Sequence, residues 1–333
     1  MTDILSFIRK EFGDDIAFSL REPGRVAGVT YLPTGISTVD EALGGGIAQG
    51  RIIEIYGEES SGKSALACAI VGSLQKQGFK ALYVDVEYAL NLLEAKSNGV
   101  DTDDMIVSQP ETAELAMGMI EKVVRHSKDP MVIVLDSVAS LLTEAELEGD
   151  PGAAHVGLTA RLMSQMMRKL VGPVKTGGHV LIFINQLRMK IGVMFGDPRT
   201  TTGGRALKFY ASQRLNMFSS QKLGPKDAPI GQRCKLRVDK NKVAPPFGIA
   251  EFDIRYDRGI DFVSAVLDTS VSKGIVKKAG GRYYYPTDAD KPLGNLNGKA
   301  KVVDWLYENP DTYELIYQNT TKALLPPEVT PSE

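Results

Sequence analysis

"RIIEIYGEESSGKSALACAIVGSLQKQG", residues 51–78, decides the fold. It opens on an apolar run (51–57), passes through Gly57, Glu58, Glu59, Ser60, Ser61, Gly62, Lys63 and Ser64, and continues as a helix-like stretch that closes on Gly78. The central residues satisfy G-x-x-x-x-G-K-[ST] in full. Glycines there let successive backbone N–H groups turn inward around phosphate oxygens, and the N-terminus of the following helix faces the same charge. In such a loop Lys63 reaches the β and γ phosphates and the Ser64 hydroxyl ligates Mg²⁺. A glycine-rich turn can match the pattern by accident, but this one follows a strand and opens a helix. The stretch therefore predicts a nucleoside triphosphate site.

Three further runs share the design: "ALYVDVE" (81–87), "MVIVLDS" (131–137) and "VLIFINQ" (180–186). They are apolar almost throughout, as strands covered on both faces are, and helix-like stretches such as "ETAELAMGMIEKVVRHS" (111–127) separate them. Strand alternating with helix predicts an α/β core with a mainly parallel sheet flanked by helices. Ligands of such sheets bind beyond the carboxyl ends of the strands. Asp136 ends one strand, where a carboxylate can hold the Mg²⁺ shell; alone it would equally suit a turn cap. Glu87 ends another, placed to orient or deprotonate an attacking water, although an ordinary surface glutamate fits as well. Gln186 ends a third, and its amide can gain or lose a bond to a γ-phosphate; a plain polar strand end is the competing reading.

Composition limits the classes. The chain has 333 residues, 43% hydrophobic and 24% charged, with a net charge of −2, so any anion binding must come from local patches. No apolar run approaches the ~20 residues of a membrane helix, and the start shows no signal-peptide pattern. Cys68 and Cys234 lie far apart with no metal or redox spacing, so both are expected to be structural in a reducing, cytoplasmic setting. "ASQRLNMF" (211–218), "CKLRVDKN" (234–241) and "AEFDIRY" (250–256) suggest additional, antiparallel strands. After Leu267 the character changes to a small α+β appendage, "ILSFIRKEF" near the start suggests a short amphipathic helix, and "LLPPEVTPSE" suggests a disordered tail.

One segment fits none of this. "QLRMKIGVMFGDPRTTTGGRALKF" (186–209) has the Gly, Pro and Thr of a loop, yet carries Ile191, Val193, Met194 and Phe195, and from Gln186 to Arg214 there are six Lys/Arg against one Asp.

This segment, with "GRIIEIYGEESSGKS", "SVASL" after Asp136 and "MSQMMRKL", makes the chain from about Thr34 to about Pro310 resemble the bacterial RecA strand-exchange family. The resemblance implies a RecA-like P-loop ATPase core over 34–267, a short N-terminal oligomerisation arm over 1–33, a small C-terminal α+β domain over 268–322 and a disordered tail over 323–333. It implies ATP with Mg²⁺ as cofactors, bound between adjacent subunits of a helical filament on single-stranded DNA, and capture of homologous double-stranded DNA for strand exchange. The 186–209 segment then resembles the family's second DNA-binding loop, with a first one near 148–161. The resemblance assigns DNA contacts to Arg161, Ser164, Arg168, Arg188, Met189, Lys190, Ile191, Gly192, Val193, Thr200, Thr202, Gly203, Gly204 and Arg205. Apolar insertion offsets unstacking there, while base-independent contacts leave sequence choice to pairing. Packing of Met194 and Phe195 in a small satellite core is the structural alternative. The resemblance also makes Glu87 the activating carboxylate and Gln186 the γ-phosphate sensor. It brings Lys240 and Lys242 to the neighbour's ATP and places Lys208 and Phe209 between subunits. Further partners it implies are a LexA-like repressor and single-strand-binding or loading proteins.

The chain also departs from the family. Seven residues after Glu87, where the family stacks a tyrosine on adenine, stands Glu94, which leaves Tyr88 as a candidate for that role. Arg199 replaces a glutamate in the DNA loop, Ser64 replaces a threonine, the N-terminal arm is short, and the last ten residues carry only two acids. These changes suggest less autoinhibition and DNA binding less strict about nucleotide state. They also keep open a single-strand-binding filament that uses ATP as an assembly switch and exchanges strands poorly. A ring-shaped motor or a small-molecule kinase would leave the basic apolar loop unexplained.

Overall fold

The structure, a computed structural model, describes residues 2–13, 16–18, 28–150, 157–189, 199–287 and 289–325. The chain divides into two units, Met1–Thr30 with Pro327–Glu333, and Tyr31–Pro326. The first contains helix α1 (Thr2–Phe12), on which Ile4, Phe7 and Phe12 are exposed. Its end is closed by the Gly13 N–H donating to the Arg9 carbonyl and by Arg9 Nε donating to the Ala17 carbonyl, 2.9 Å each. This is the short amphipathic helix expected from "ILSFIRKEF".

The second unit opens with β1 (Tyr31–Leu32), α2 (Ser37–Leu43), β2 (Ile47–Ala48), β3 (Arg51–Gly57), α3 (Lys63–Lys76) and β4 (Lys80–Asp85). It continues with α4 (Leu92–Ser97), β5 (Met105–Ser108), α5 (Ala113–His126), β6 (Met131–Asp136), α6 (Glu144–Glu148) and α7 (Leu158–Thr176). Then come β7 (Val180–Met189), β8 (Arg199–Thr201), α8 (Ala206–Tyr210), β9 (Gln213–Leu223), β10 (Gly231–Asn241), β11 (Ile249–Arg255) and β12 (Gly259–Ile260). The end is formed by α9 (Phe262–Ser272), β13 (Lys277–Ala279), β14 (Arg282–Tyr284), α10 (Lys299–Glu308) and α11 (Pro310–Leu324).

The main sheet runs β12-β11-β10-β9-β3-β7-β6-β4-β5, with β8 attached to β7. Strands β3, β7, β6, β4 and β5 are mutually parallel, so their carboxyl ends form one crest. Because successive side chains point to opposite faces, each central strand feeds two cores. Val132, Val134, Ile182 and Ile184 enter one with α3, while Ile133, Leu135, Leu181 and Phe183 enter the other with α5 and α7. The apolar runs are apolar because both faces are covered. Strand β9 departs from the expectation of an antiparallel addition. It lies parallel to β3, and the antiparallel pairing begins only at β10. The connection between β7 and β9 carries β8 and α8, long enough for a crossover.

A third core joins Val263, Val266, Val276, Tyr283, Val302 and Ile316. Helix α9 runs through the 267/268 position with Ala265 in the first core and Val266 and Leu267 in the third, so one helix anchors the C-terminal elements to the sheet. Among the described residues no helix is long and apolar enough to cross a membrane.

Candidate functional site

The phosphate loop sits at the crest, between the end of β3 and the start of α3. Its geometry needs glycine at both ends. A Cβ on Gly57 would lie 2.3 Å from the Met217 carbonyl oxygen, and Gly62 holds φ +87° with its would-be Cβ 2.6 Å from Ile254. The Lys63 ammonium donates to the Glu58 carbonyl (2.6 Å), which also accepts from Ser61 Oγ (2.8 Å). Burial lowers the Lys63 pKa, opposed by the carboxylates of Asp136 and Glu87. A triphosphate would supply the neutralising charge that this buried ammonium favours.

Parallel pairing of β4 with β6 sets Asp85 beside Asp136. Asp136 Oδ2 accepts from Ser64 Oγ (2.8 Å) and Tyr83 OH (2.7 Å), while burial raises its pKa. The hydroxyl and carboxylate expected to share a cation therefore touch each other. One carboxylate and one hydroxyl, completed by phosphates and water, suit Mg²⁺, which keeps much of its hydration. Among the described residues no group of three His, Cys, Asp or Glu side chains offers an all-protein metal cage.

Asp85 shapes the turn after β4, accepting from the N–H groups of Ala89 (3.1 Å) and Leu90 (3.2 Å) and from Gln109 Nε2 (3.0 Å). That turn presents Glu87. Glu87 Oε1 accepts from Ser137 Oγ, from Ser140 Oγ (2.9 Å) and from Gln186 Nε2 (3.2 Å). All three bonds go to one oxygen, which orients the exposed carboxylate and leaves Oε2 without a hydrogen bond among the described residues. Gln186 Oε1 in turn accepts from Arg188 Nη2 (3.0 Å), so a chain of hydrogen bonds runs from the crest carboxylate to the basic segment.

That segment begins as a strand. β7 continues past Gln186 to Met189, and β8 pairs back on it, with Leu187 opposite Thr201 and Met189 opposite Arg199. Gln186 therefore lies inside β7 instead of ending it. The ribbon is fixed at its base by Asn185, whose Oδ1 accepts from Thr202 Oγ1 (2.6 Å) and whose Nδ2 donates to the completely buried Glu54 (3.0 Å). Glu54 pairs with Arg214 (2.5 Å), whose guanidinium lies 4.4 Å from the Tyr56 ring centre. Gly203 (φ +73°) and Gly204 (φ +78°) are needed for close approach, since their would-be Cβ atoms fall 2.7 Å from Val138 and 2.8 Å from Ala160.

Of the residues expected at DNA, Met189 is 67% exposed at the end of β7, beside exposed Arg188. Arg161 and Arg168 are exposed on α7 with Ser164 between them at helical spacing, opposite the buried Met163, Met167 and Leu170. Ser164 Oγ donates to the Ala160 carbonyl (2.8 Å). Thr200 accepts from Lys208 Nζ (3.4 Å), and Arg205 is exposed before α8. Lys190, Ile191, Gly192, Val193, Met194 and Phe195 lie outside the described residues, as do residues 151–156 of the earlier loop.

Lys240, on β10, and Lys242, just beyond its end, lie on the antiparallel side of the sheet, away from the crest. Lys240 pairs with Arg214, which pairs with Glu54, and the Lys242 N–H donates to the Ser212 carbonyl, next to Ile52. They are thus roughly 10–17 Å down β3 from Gly57 at ~3.3 Å per residue. Lys240 Nζ donates to the Lys208 (2.6 Å) and Phe209 (3.0 Å) carbonyls, and Lys242 Nζ to Phe209 (3.3 Å). Both cations cap the negative end of α8, and Phe209 beside them is 69% exposed.

A cavity of about 940 Å³ adjoins the phosphate loop, walled by α4 and the β11–β12 turn and lined by Glu94 and Tyr256. Tyr88, the aromatic proposed for the base, is not on it: its hydroxyl donates to the Gln109 carbonyl (3.4 Å). Tyr256, 63% exposed, is the aromatic that lines it. Sequence reasoning passed over Tyr256, Ser137, Ser140 and Glu54.

Crest, phosphate loop and flanking helices define the P-loop class of α/β nucleotide-binding proteins. A protein-family model described as the RecA N-terminal domain matches residues 1–261. Protein RecA of Gloeobacter violaceus is 47% identical over 306 residues, covering 92% of this chain and 81% of that protein. Protein RecA of Bifidobacterium breve is 48% identical over 320 residues (96% and 80%), and Protein RecA 1 of Myxococcus xanthus 43% over 328 (98% and 94%). Among solved structures, the RadB recombinase shares the fold, with a TM-score of 0.52, 22% identity and coverage of 69% of this chain and 98% of that one. The chain belongs to the RecA family.

Proposed function

We propose that ATP hydrolysis and DNA binding are coupled in this chain through the Glu87–Gln186–Arg188 hydrogen bonds, the single observation that carries the reading. Membership of the family brings the general function: a recombinase that performs homologous pairing and strand exchange as a DNA-dependent ATPase. The residue roles are our assignment. Backbone N–H groups of 57–64 and Lys63 hold the phosphates. Ser64 and Asp136 would hold Mg²⁺, which neutralises charge on the phosphate oxygens. Glu87, fixed through Oε1, offers Oε2 to the attacking water and takes its proton as the water adds to the γ-phosphorus and ADP departs. Gln186 divides its amide between Glu87 and Arg188, so a change at either end is felt at the other.

Lys240 and Lys242 lie too far from their own phosphate loop to serve it, which supports their action on a neighbour's γ-phosphate in a helical homo-oligomer. Cations supplied across an interface to phosphoryl transfer contribute ~10³–10⁵ in rate, so hydrolysis would depend on assembly. Single-stranded DNA lies against the β7–β8 ribbon and the Arg161–Ser164–Arg168 face of α7, and homologous duplex, a LexA-like repressor and single-strand-binding or loading proteins are its further partners in the cytoplasm. The test is ATP hydrolysis with and without single-stranded DNA in wild type and Glu87→Gln. Strong stimulation by DNA, lost in the variant while DNA binding is kept, is the expected outcome. DNA binding with no stimulated turnover would leave an assembly switch instead, and no response to DNA would remove the role given to the ribbon.

A further inference from the structure

Tyr83 carries a hydroxyl into the interior of the sheet. Its side chain is 1% exposed and belongs to the first core, where its strand neighbour Ala81 and the adjacent Val132 and Val134 of β6 are apolar. Parallel pairing sets Tyr83 opposite Val134, and Asp136, two residues further along β6, shares that face. The hydroxyl therefore meets the carboxylate diagonally, donating to Asp136 Oδ2 at 2.7 Å. A buried hydroxyl costs free energy unless it is bonded, and phenylalanine would fill the same space without that cost. The hydroxyl is accounted for by the carboxylate it meets.

Asp136 is held from three directions. Its carbonyl accepts from the Val86 N–H (2.8 Å), which fixes the backbone and leaves rotation of the side chain. Oδ2 accepts from Ser64 Oγ (2.8 Å) as well as from Tyr83, and Oδ1 has no hydrogen bond among the described residues. The two donors differ in what holds them. Ser64 sits in the first turn of α3, on the phosphate loop that a nucleotide engages, whereas Tyr83 is locked in a strand paired on both sides, with β5 and β6. Ser64 is also assigned to Mg²⁺, so it is no independent reference for the carboxylate beside it. Groups that hydrogen-bond to a metal ligand orient it, and losing one weakens metal binding about 10–100-fold. Resting on the Mg²⁺ assignment proposed above, we infer that Tyr83 is a positioning residue of the metal site: its hydroxyl sets the rotation of the Asp136 carboxylate and so tunes the affinity for Mg²⁺.

The test compares the equilibrium affinity of the full chain for a non-hydrolysable fluorescent ATP analogue in EDTA and at saturating Mg²⁺. The ratio of the two affinities reports the metal site and needs no turnover. Proteins are wild type, Tyr83→Phe, Asp136→Asn and the double variant, each with a thermal midpoint taken without nucleotide. Wild type should bind more tightly with Mg²⁺. Tyr83→Phe keeps the ring and should cut that ratio about tenfold, while affinity in EDTA stays near wild type. In the Asp136→Asn background the same substitution should change the ratio no further, because its effect runs through the carboxylate. A Tyr83→Phe protein that loses only thermal midpoint, with its ratio intact, would make the hydroxyl a structural bond and overturn the inference. Equal losses of affinity in EDTA and Mg²⁺ would also overturn it, as would a double variant whose ratio drops a further tenfold below that of Asp136→Asn. Should wild type show no tightening by Mg²⁺, the metal assignment itself falls. Should the tightening be lost in Asp136→Asn but kept in Tyr83→Phe, only the role of Tyr83 falls.

Discussion

Replacing Arg214 by methionine tests how the sheet holds a charge in its interior. Glu54 is completely buried in the middle of β3, and its partners are Arg214 Nε at 2.5 Å and Asn185 Nδ2 at 3.0 Å. With the guanidinium gone, a single neutral amide remains to a carboxylate that has lost its hydration. Breaking a buried pair from one side costs about 3–5 kcal/mol. Loss of the guanidinium's place over the Tyr56 ring adds about 0.5–2 kcal/mol. Each kcal/mol lowers the midpoint by about 2–4 °C in chains of 150–250 residues and somewhat less in longer ones, so a fall on the order of 5–15 °C is expected. Thermal unfolding followed by circular dichroism, without nucleotide or DNA, measures it. The double variant Glu54→Leu with Arg214→Met should recover most of the loss, because it removes the stranded charge with its partner. A single variant within about 2 °C of wild type, several-fold below the fall expected from a stranded buried carboxylate, would refute the reasoning.

Three other outcomes are expected. Gln186→Ala should leave basal ATP hydrolysis and DNA affinity near wild type while cutting the DNA-stimulated rate about tenfold or more, read by a coupled ATPase assay, since it removes both amide bonds, to Glu87 and from Arg188. Burial brings the Lys240 pKa down to about 8, aided by Lys242 and Arg214. The unfolded chain therefore binds more protons between about pH 8 and the free value of 10.5, so this group's contribution to stability rises with pH across that window. Its charge fades over the same range, so DNA-stimulated hydrolysis should decline above pH 8 and Lys240→Arg should flatten that decline in a pH–rate profile. Gly203→Ala should strain the ribbon base at φ +73° and press on Val138, costing about 1–3 kcal/mol and weakening single-stranded DNA binding in a fluorescence titration.

The central strands were legible because burial on both faces writes itself as continuous Val, Ile and Leu, and the phosphate loop because its glycines serve the backbone. The direction of β9 was not legible, since alternation such as "QRLNMF" marks partial burial and does not say on which side a strand pairs. Gln186 looked like a strand end because apolar residues stop there, yet β7 continues as an exposed ribbon whose pairing partner lies beyond the segment 190–198. Ser137 and Ser140 meet Glu87 only because β4 and β6 are neighbours, a contact across some 50 residues that no local pattern carries. Glu54 reads as one charge in a strand until Asn185 and Arg214 converge on it. Tyr88 and Tyr256 were equal as residue types; the turn held by Asp85 sends the first toward Gln109, and the end of β11 brings the second to the cavity.

The placement of Lys240 and Lys242 away from the crest, down the strands from the phosphate loop, has a counting consequence. If these lysines complete a neighbour's phosphate cradle, as proposed above, the chains can be served only head to tail, an arrangement that does not close on itself in pairs. An open row of such chains always has one terminal cradle without a donor. Turnover per chain should therefore climb with row length toward a plateau, short rows should be disproportionately idle, and a single end chain unable to hydrolyse would mark where subunits are gained or lost.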